Sequence, residues 1–201
     1  MTAAVPHNER EQVHAETAAV WRRWLRANHR RSDGIWLVSW KASTGRTRMS
    51  YEESVEEALA FGWIDSKAVS LDDERSMLWF TPRKPGSGWA RPNKVRIERL
   101  ENDGRMTDAG RAVIERAKAD GSWTLLDAVE DLIVPDDLAA AFAAVPGSRE
   151  HWDAFSRSTR RAVLEWIVQA RRPETRARRV SETAASAGRG ERANQPRPDR
   201  A

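Results

Sequence analysis

Apolar positions along the first thirty residues recur at three- and four-residue spacing. Val13, Val20, Trp21, Trp24 and Leu25, with Asn28 on the same face, predict an amphipathic helix from about Glu11 to Arg30. Ser32-Asp33-Gly34 breaks it. The pattern then switches to period two: Ile35, Leu37 and Ser39 point one way, and Trp36, Val38 and Trp40 the other, which predicts a strand over Ile35 to Lys41. Ser43-Thr44-Gly45 reads as a loop. Ser50 and Glu53 have capping-box spacing, Val55, Ala58 and Leu59 form the buried stripe of the helix they open, and Gly62 can end it. Trp63 to Leu71 and Ser76 to Thr81 read as two strands joined by the acidic turn Asp72-Asp73-Glu74. Pro82 and Pro85-Gly86-Ser87-Gly88 close this part, because proline cannot donate to a ladder.

The remainder is helical in pattern. Val95 and Leu100 mark a helix over Pro92 to Asn102, and Thr107 caps another over Asp108 to Ala119, stopped by Gly121. Asp136 to Ala144 is a short helix ended by Pro146-Gly147, and Trp152 and Phe155 sit on a further turn. Ser158 to Arg171 carries Val163, Leu164, Ile167 and Ala170 on one face, and Pro173 suits the first position of a last helix. The expectation is an α+β fold: a small three-stranded antiparallel sheet with a helix-rich C-terminal half. One domain is expected over residues 11–187, between disordered ends at 1–10 and 188–201.

Composition narrows the function. The chain has 201 residues, 40% hydrophobic and 32% charged, with ten tryptophans, enough apolar material for a core. It has no cysteine, which excludes disulfides, zinc ribbons, thiol nucleophiles and cysteine-held iron–sulfur clusters. Residues 1–10 hold no apolar run of the signal-peptide kind, and the longest apolar run, Leu138 to Pro146, is far below the roughly 18–20 residues of a membrane span. A cytoplasmic protein without a membrane span is expected. The net charge of +4 is unevenly placed: residues 171–201 hold 9 basic and 4 acidic side chains, while residues 1–170 hold 25 and 26. A basic end of this kind attaches weakly to nucleic acid or simply keeps a chain soluble.

No metal is expected, since His7, His14, His29 and His151 have no ligand spacing. No G-x-S-x-G elbow, phosphate-binding loop or dinucleotide fingerprint is present, so no cofactor and no catalytic residue is assigned. Asp72, Asp73 and Glu74 either hold a cation or form a solvated turn. The richest segment runs from Trp63 to Arg105. Trp79, Phe80 and Trp89 flank Arg83 and Lys84, and residues 83–105 hold seven basic and three acidic side chains. Arginine beside aromatic rings suits planar anions. A ligand site for an anionic small molecule or peptide is therefore expected at Trp63, Asp65, Lys67, Arg83, Lys84, Trp89, Asn93 and Lys94. The competing reading makes Arg91, Lys94 and Arg99 a solvated face paired with Glu98 and Glu101, and the tryptophans core. Asp65 and Lys67, two apart on a strand, would share a face as a site pair or as a surface ion pair. A second cluster, Arg172, Arg176, Arg178 and Arg179, either grips phosphate or an acidic partner, or folds back on the negative end of the preceding helix.

Several of these segments together resemble one family. Tyr51-Glu52-Glu53, Val55-Glu56-Glu57-Ala58-Leu59 and Phe61-Gly62-Trp63-Ile64-Asp65-Ser66 carry the likeness. So do Phe80-Thr81-Pro82-Arg83-Lys84-Pro85-Gly86-Ser87 with Trp89 and Asn93-Lys94, Gly104-Arg105-Met106-Thr107 with Ala109-Gly110, and Arg172-Pro173-Glu174-Thr175-Arg176-Ala177-Arg178-Arg179. Over about residues 15–180 the chain resembles the YdeI/OmpD-associated family, whose name records bacteriocin protection and an outer-membrane porin. The resemblance implies a bacterial stress or antimicrobial-resistance setting and carries over no catalytic residue. The chain departs from the family in its last helix, polar over Ser181 to Gly190, which bears on any protein partner that helix would meet. The leading expectation is a non-enzymatic binder. The alternatives are a nucleic-acid-binding protein using the basic C-terminal segment, and an unrecognised enzyme with Asp65 or the Asp72–Glu74 turn as acid or base.

Overall fold

The helix predicted after Ser50 anchors the first half of the molecule. In the computed structural model the Glu53 amide donates to Ser50 Oγ (3.1 Å) and the Ser50 amide donates to the Glu53 carboxylate (2.8 Å), so two end groups are satisfied reciprocally. Helix α2 (Tyr51–Ala60) follows, and Gly62 turns the chain at φ +77°, a conformation that favours glycine. Strands β3 (Trp63–Ser70) and β4 (Arg75–Pro82) form the predicted hairpin, and β2 (Ile35–Trp40) pairs antiparallel with β4. The structure describes residues 10–31 and 33–194; residues 1–9 and 195–201 of the expected disordered ends, with His7, and Ser32 of the expected break lie outside them.

The sheet has four strands rather than three. Gln12–His14 forms β1, parallel to β2 in the register Gln12↔Trp36, Val13↔Leu37, His14↔Val38, and the order is β1-β2-β4-β3. The long helix predicted from Glu11 therefore begins only at α1 (Ala18–Asn28). Thr17 sets that boundary, because its side chain accepts from the Val20 amide and its own backbone is extended. Upstream of that cap the chain is free to cover the edge of β2, where the Trp36 amide donates to Glu11 O (2.9 Å). Both faces of β2 are buried. Ile35 and Leu37 belong to the core with Trp21 and Leu25 of α1, Leu59 of α2, Trp63 and Phe80; Trp36 and Val38 meet Met77 on the other face. The buried indole of Trp21 donates to Ser54 O (3.0 Å), so burying the ring leaves no orphaned N–H.

Beyond β4 the described residues hold no strand. The helices are α3 (Arg91–Asn102), α4 (Asp108–Ala119), α5 (Asp127–Glu130), α6 (Asp136–Ala144), α7 (Ser148–Ala154), α8 (Arg157–Val168) and α9 (Pro173–Gly188). The described residues form two compact units: those of Met1–Ser87 with Pro92–Ser122, and those of Gly88–Arg91 with Trp123–Ala201. The first holds the sheet, α1, α2, most of α3, and α4. In the second, Leu138 and Phe142 of α6, Trp152 of α7, Val163, Leu164 and Ile167 of α8, and Val180 and Ala184 of α9 make one apolar cluster. Ala193, beyond the last helix, is buried in the same cluster.

Candidate functional site

Three of the seven basic side chains of residues 83–105, Arg96, Arg99 and Arg105, are answered by carboxylates on α2. Arg96 forks onto Glu52, with Nη2 2.7 Å and Nε 3.1 Å from its oxygens. Arg99 reaches Glu56 (2.8 Å), Arg105 bonds both Glu56 (2.8 Å) and Glu57 (2.7 Å), and Arg22 of α1 reaches Glu57 (2.6 Å). Glu56 and Glu57 are only 5% and 4% exposed, so these carboxylates need their arginines. Hydrogen bonding from Arg96 holds the Glu52 carboxyl below its usual range. Of the cations expected to pair with Glu98 and Glu101, Arg99 joins this network and Arg91 pairs with Asp131 (2.6 Å), while Glu101 takes Arg111 (2.8 Å). The sequence signal was the run of glutamates in Tyr51–Ala60, which the helical repeat carries round to α3. Arg105→Ala is expected to cost about 2 kcal/mol in urea denaturation, less than the roughly 3–5 of a fully buried pair because Arg105 is 33% exposed. A loss below about 0.5 kcal/mol, the scatter of ordinary surface changes, would show that the network adds nothing.

The residues expected to hold a ligand are placed as follows. Trp63 is fully buried, its indole donating to His29 O (3.0 Å). Trp89 belongs to the second unit, where its buried ring lies 5.1 Å from that of Trp123. Neither ring presents an open face. Strand pairing of Trp63 with Pro82 brings Arg83 beside Trp63, and the Arg83 amide donates to Gly62 O (2.9 Å). Arg83 is buried, and burial pulls its pKa down to about 10. Lys84 is exposed in the following turn, Asn93 accepts from Arg96 (2.9 Å), and Lys94 is half-buried. Asp65 accepts from the Tyr51 hydroxyl (2.9 Å), while Lys67 is exposed. The strand register shifts between Asp65 and Ala68, which breaks the alternation that would have put Asp65 and Lys67 on one face. The acidic turn closes on itself: Asp72 accepts from the Glu74 and Arg75 amides (3.0 and 2.7 Å) and from Arg75 Nε (2.8 Å). Among the described residues no group of three potential ligands could hold a metal ion.

The second basic cluster divides in two. Arg176 grips Asp137 of α6 through Nε and Nη2 (2.7 and 3.0 Å), and that hydrogen bonding holds the Asp137 carboxyl below its usual range. Arg179 donates to Trp166 O in the last turn of α8 and lies 4.9 Å over the Trp166 ring, so it serves the negative helix end. Arg172 and Arg178 remain exposed. Beside the Arg176–Asp137 pair a groove opens between α6 and α9, with a cavity of about 450 Å³. Ala141, Val145, Val180 and Ala184 line it, and Ala177 and Ala185 leave it unfilled. The polar last helix concealed this: its buried positions are Val180, Thr183, Ala184, Ser186 and Ala187, small enough to pack closely without a long apolar run.

A family model described as a domain of unknown function (DUF8412) matches residues 13–113, half of the chain. The chain belongs to that family. A second model, described as Bacteriocin-protection, YdeI or OmpD-Associated, matches residues 131–190, so the resemblance read from the sequence is supported there. Of the segments that carried the resemblance, Arg172–Arg179 lies in the second match, and those at 51–66, 80–94 and 104–110 lie in the DUF8412 match. No curated protein and no solved structure gives a significant match. The groove between α6 and α9 lies wholly within the bacteriocin-protection match, and the arginine network and, apart from Gln12, the sheet lie within the DUF8412 match. Among the described residues no helix is long and apolar enough to cross a membrane.

Proposed function

We propose that this bacteriocin-protection-associated protein acts by binding, and that the groove between α6 and α9 receives a short peptide segment carrying apolar side chains and an acidic residue. The observation that carries this reading is the apolar hollow of about 450 Å³, with the Asp137–Arg176 pair on its lining, inside the family segment. Its alanine and valine walls would gain about 1.5–3 kcal/mol from each large aliphatic side chain they bury. Arg176 is already committed to Asp137, so an acidic group on the peptide would meet Arg172, exposed one residue before Pro173 at the groove. The basic segment around Arg83 supports a ligand less well, because Trp63 and Trp89 are buried and Arg96, Arg99 and Arg105 answer α2. The nucleic-acid alternative loses Arg176 and Arg179 to contacts within the second unit.

Blocking the groove tests the reading. Ala177 and Ala185 are exposed groove-lining residues, so Ala177→Glu and Ala185→Trp should fold normally. Cells producing either variant are expected to lose protection against a bacteriocin challenge by about tenfold or more, the effect of roughly 1.4 kcal/mol of lost binding. Full protection by both variants, at unchanged protein level and circular dichroism, would remove the groove from the function.

A further inference from the structure

The first unit contains a second hollow, of about 190 Å³, between the start of α2 and the sheet. Ser39 of β2 and Ser76 of β4 are direct cross-strand partners, and both line it. Such partners bring their Cβ atoms to about 4.5–5.5 Å on one face. Both residues are half-buried, and neither hydroxyl bonds a described residue. Leu37, Leu78 and Ala68 supply the apolar wall.

Among the described residues, the hollow also carries an uncommitted cation. Other basic groups nearby are engaged: Arg46 lies 4.2 Å over the Trp40 ring and pairs with Glu74 (3.4 Å), and Lys41 donates to Ser70 Oγ (2.9 Å) and Asp72 O (2.6 Å). The hollow's lining holds no carboxylate. Arg48, which lines the hollow, has no carboxylate partner among the described residues. A guanidinium, two hydroxyls and an aliphatic wall match one kind of molecule: a carboxylate group on a short apolar body. The guanidinium takes the carboxylate through paired N–H donors, and the hydroxyls donate to its remaining lone pairs. A cavity of about 190 Å³ equals roughly six water volumes of ~30 Å³ each, which limits the guest to a short chain.

We propose that this hollow is a binding site for a small carboxylate, with Arg48 as its ion-pair partner and Ser39 and Ser76 as its hydrogen-bonding walls. The site belongs to the first unit and is independent of the function proposed for the groove of the second.

Titration calorimetry of the full chain with sodium butanoate at constant ionic strength tests it, with sodium chloride and butan-1-ol as references. Saturable binding of butanoate is expected, with none for chloride or the alcohol. Arg48→Gln should weaken butanoate by about tenfold or more, and a Ser39→Ala, Ser76→Ala double variant by a smaller factor. Arg48 is exposed, so the variant should keep its fold, checked by an unchanged melting temperature. Butanoate behaving as chloride does, or binding Arg48→Gln with unaltered affinity, would overturn the assignment.

Discussion

Replacing Trp152 with alanine is expected to destabilise the second unit by about 3–5 kcal/mol. Trp152 is 1% exposed on α7, its ring 5.3 Å from that of Phe142 and 6.3 Å from that of Phe155. It belongs to the cluster that also holds Leu138, Ile167, Val180 and Ala184, so the hollow left by truncation would border three other helices. The start of α7 is pinned by the buried Ser148 hydroxyl, which reaches the carbonyls of Phe142 (3.0 Å) and Val145 (2.7 Å), and this limits how far the helix can collapse into the gap. Domain stabilities are about 0.05–0.15 kcal/mol per residue, so a unit of this size would lose much of its margin. Amide hydrogen exchange over α6 to α9 measures the effect locally. Protection factors should fall by roughly two to four powers of ten, at 1.4 kcal/mol each. Trp152→Phe should recover part of the loss by refilling part of the volume. Unchanged protection in the alanine variant would place Trp152 outside the core.

Gly110→Val is expected to cost about 3 kcal/mol or more in the first unit. A Cβ on Gly110 would sit 2.4 Å from Ala60 O and 2.6 Å from Met106 Sδ. The first of these is backbone and cannot step aside. It is held by the start of α4, since the Thr107 hydroxyl (2.6 Å) and the Thr107 amide (3.3 Å) both donate to Ala60 O. Removing glycine from a helix ordinarily gains a few tenths of a kcal/mol with valine, and up to about 1 with alanine. A contact this short outweighs that gain, and valine adds two methyl groups to it. Thermal melting is the readout, with a fall of roughly 10 °C or more expected for a unit of this size. An unaltered melting temperature would show that α4 does not dock on the end of α2.

That close approach also accounts for one segment behind the family resemblance. Ala109-Gly110 is legible in the sequence as a pattern, and the tertiary contact explains it: α4 reaches α2 only where a side chain is missing. Glu56 and Glu57 present a similar case. In the sequence they are two more charges on a helix, yet in the fold they are buried between Arg22, Arg99 and Arg105.

What the sequence determined by itself was whatever short-range physics decides. The capping box at Ser50, the Thr107 cap, the alternation of β2, the hairpin of β3 and β4, and the proline start of α9 each rest on a few neighbouring residues. The α+β class followed from them. Pairing over long separations was decided by the tertiary structure alone. Gln12–His14 became a fourth strand because the edge of β2 accepted it after Thr17 had fixed the start of α1. Trp63 and Trp89 were buried, and Arg96, Arg99 and Arg105 were paired with α2, because the free energy of burying rings and matching charges is settled by partners 30 to 50 residues away. The groove between α6 and α9 depended on the same thing: alanines are unremarkable in sequence and leave a hollow only when two helices bring them face to face.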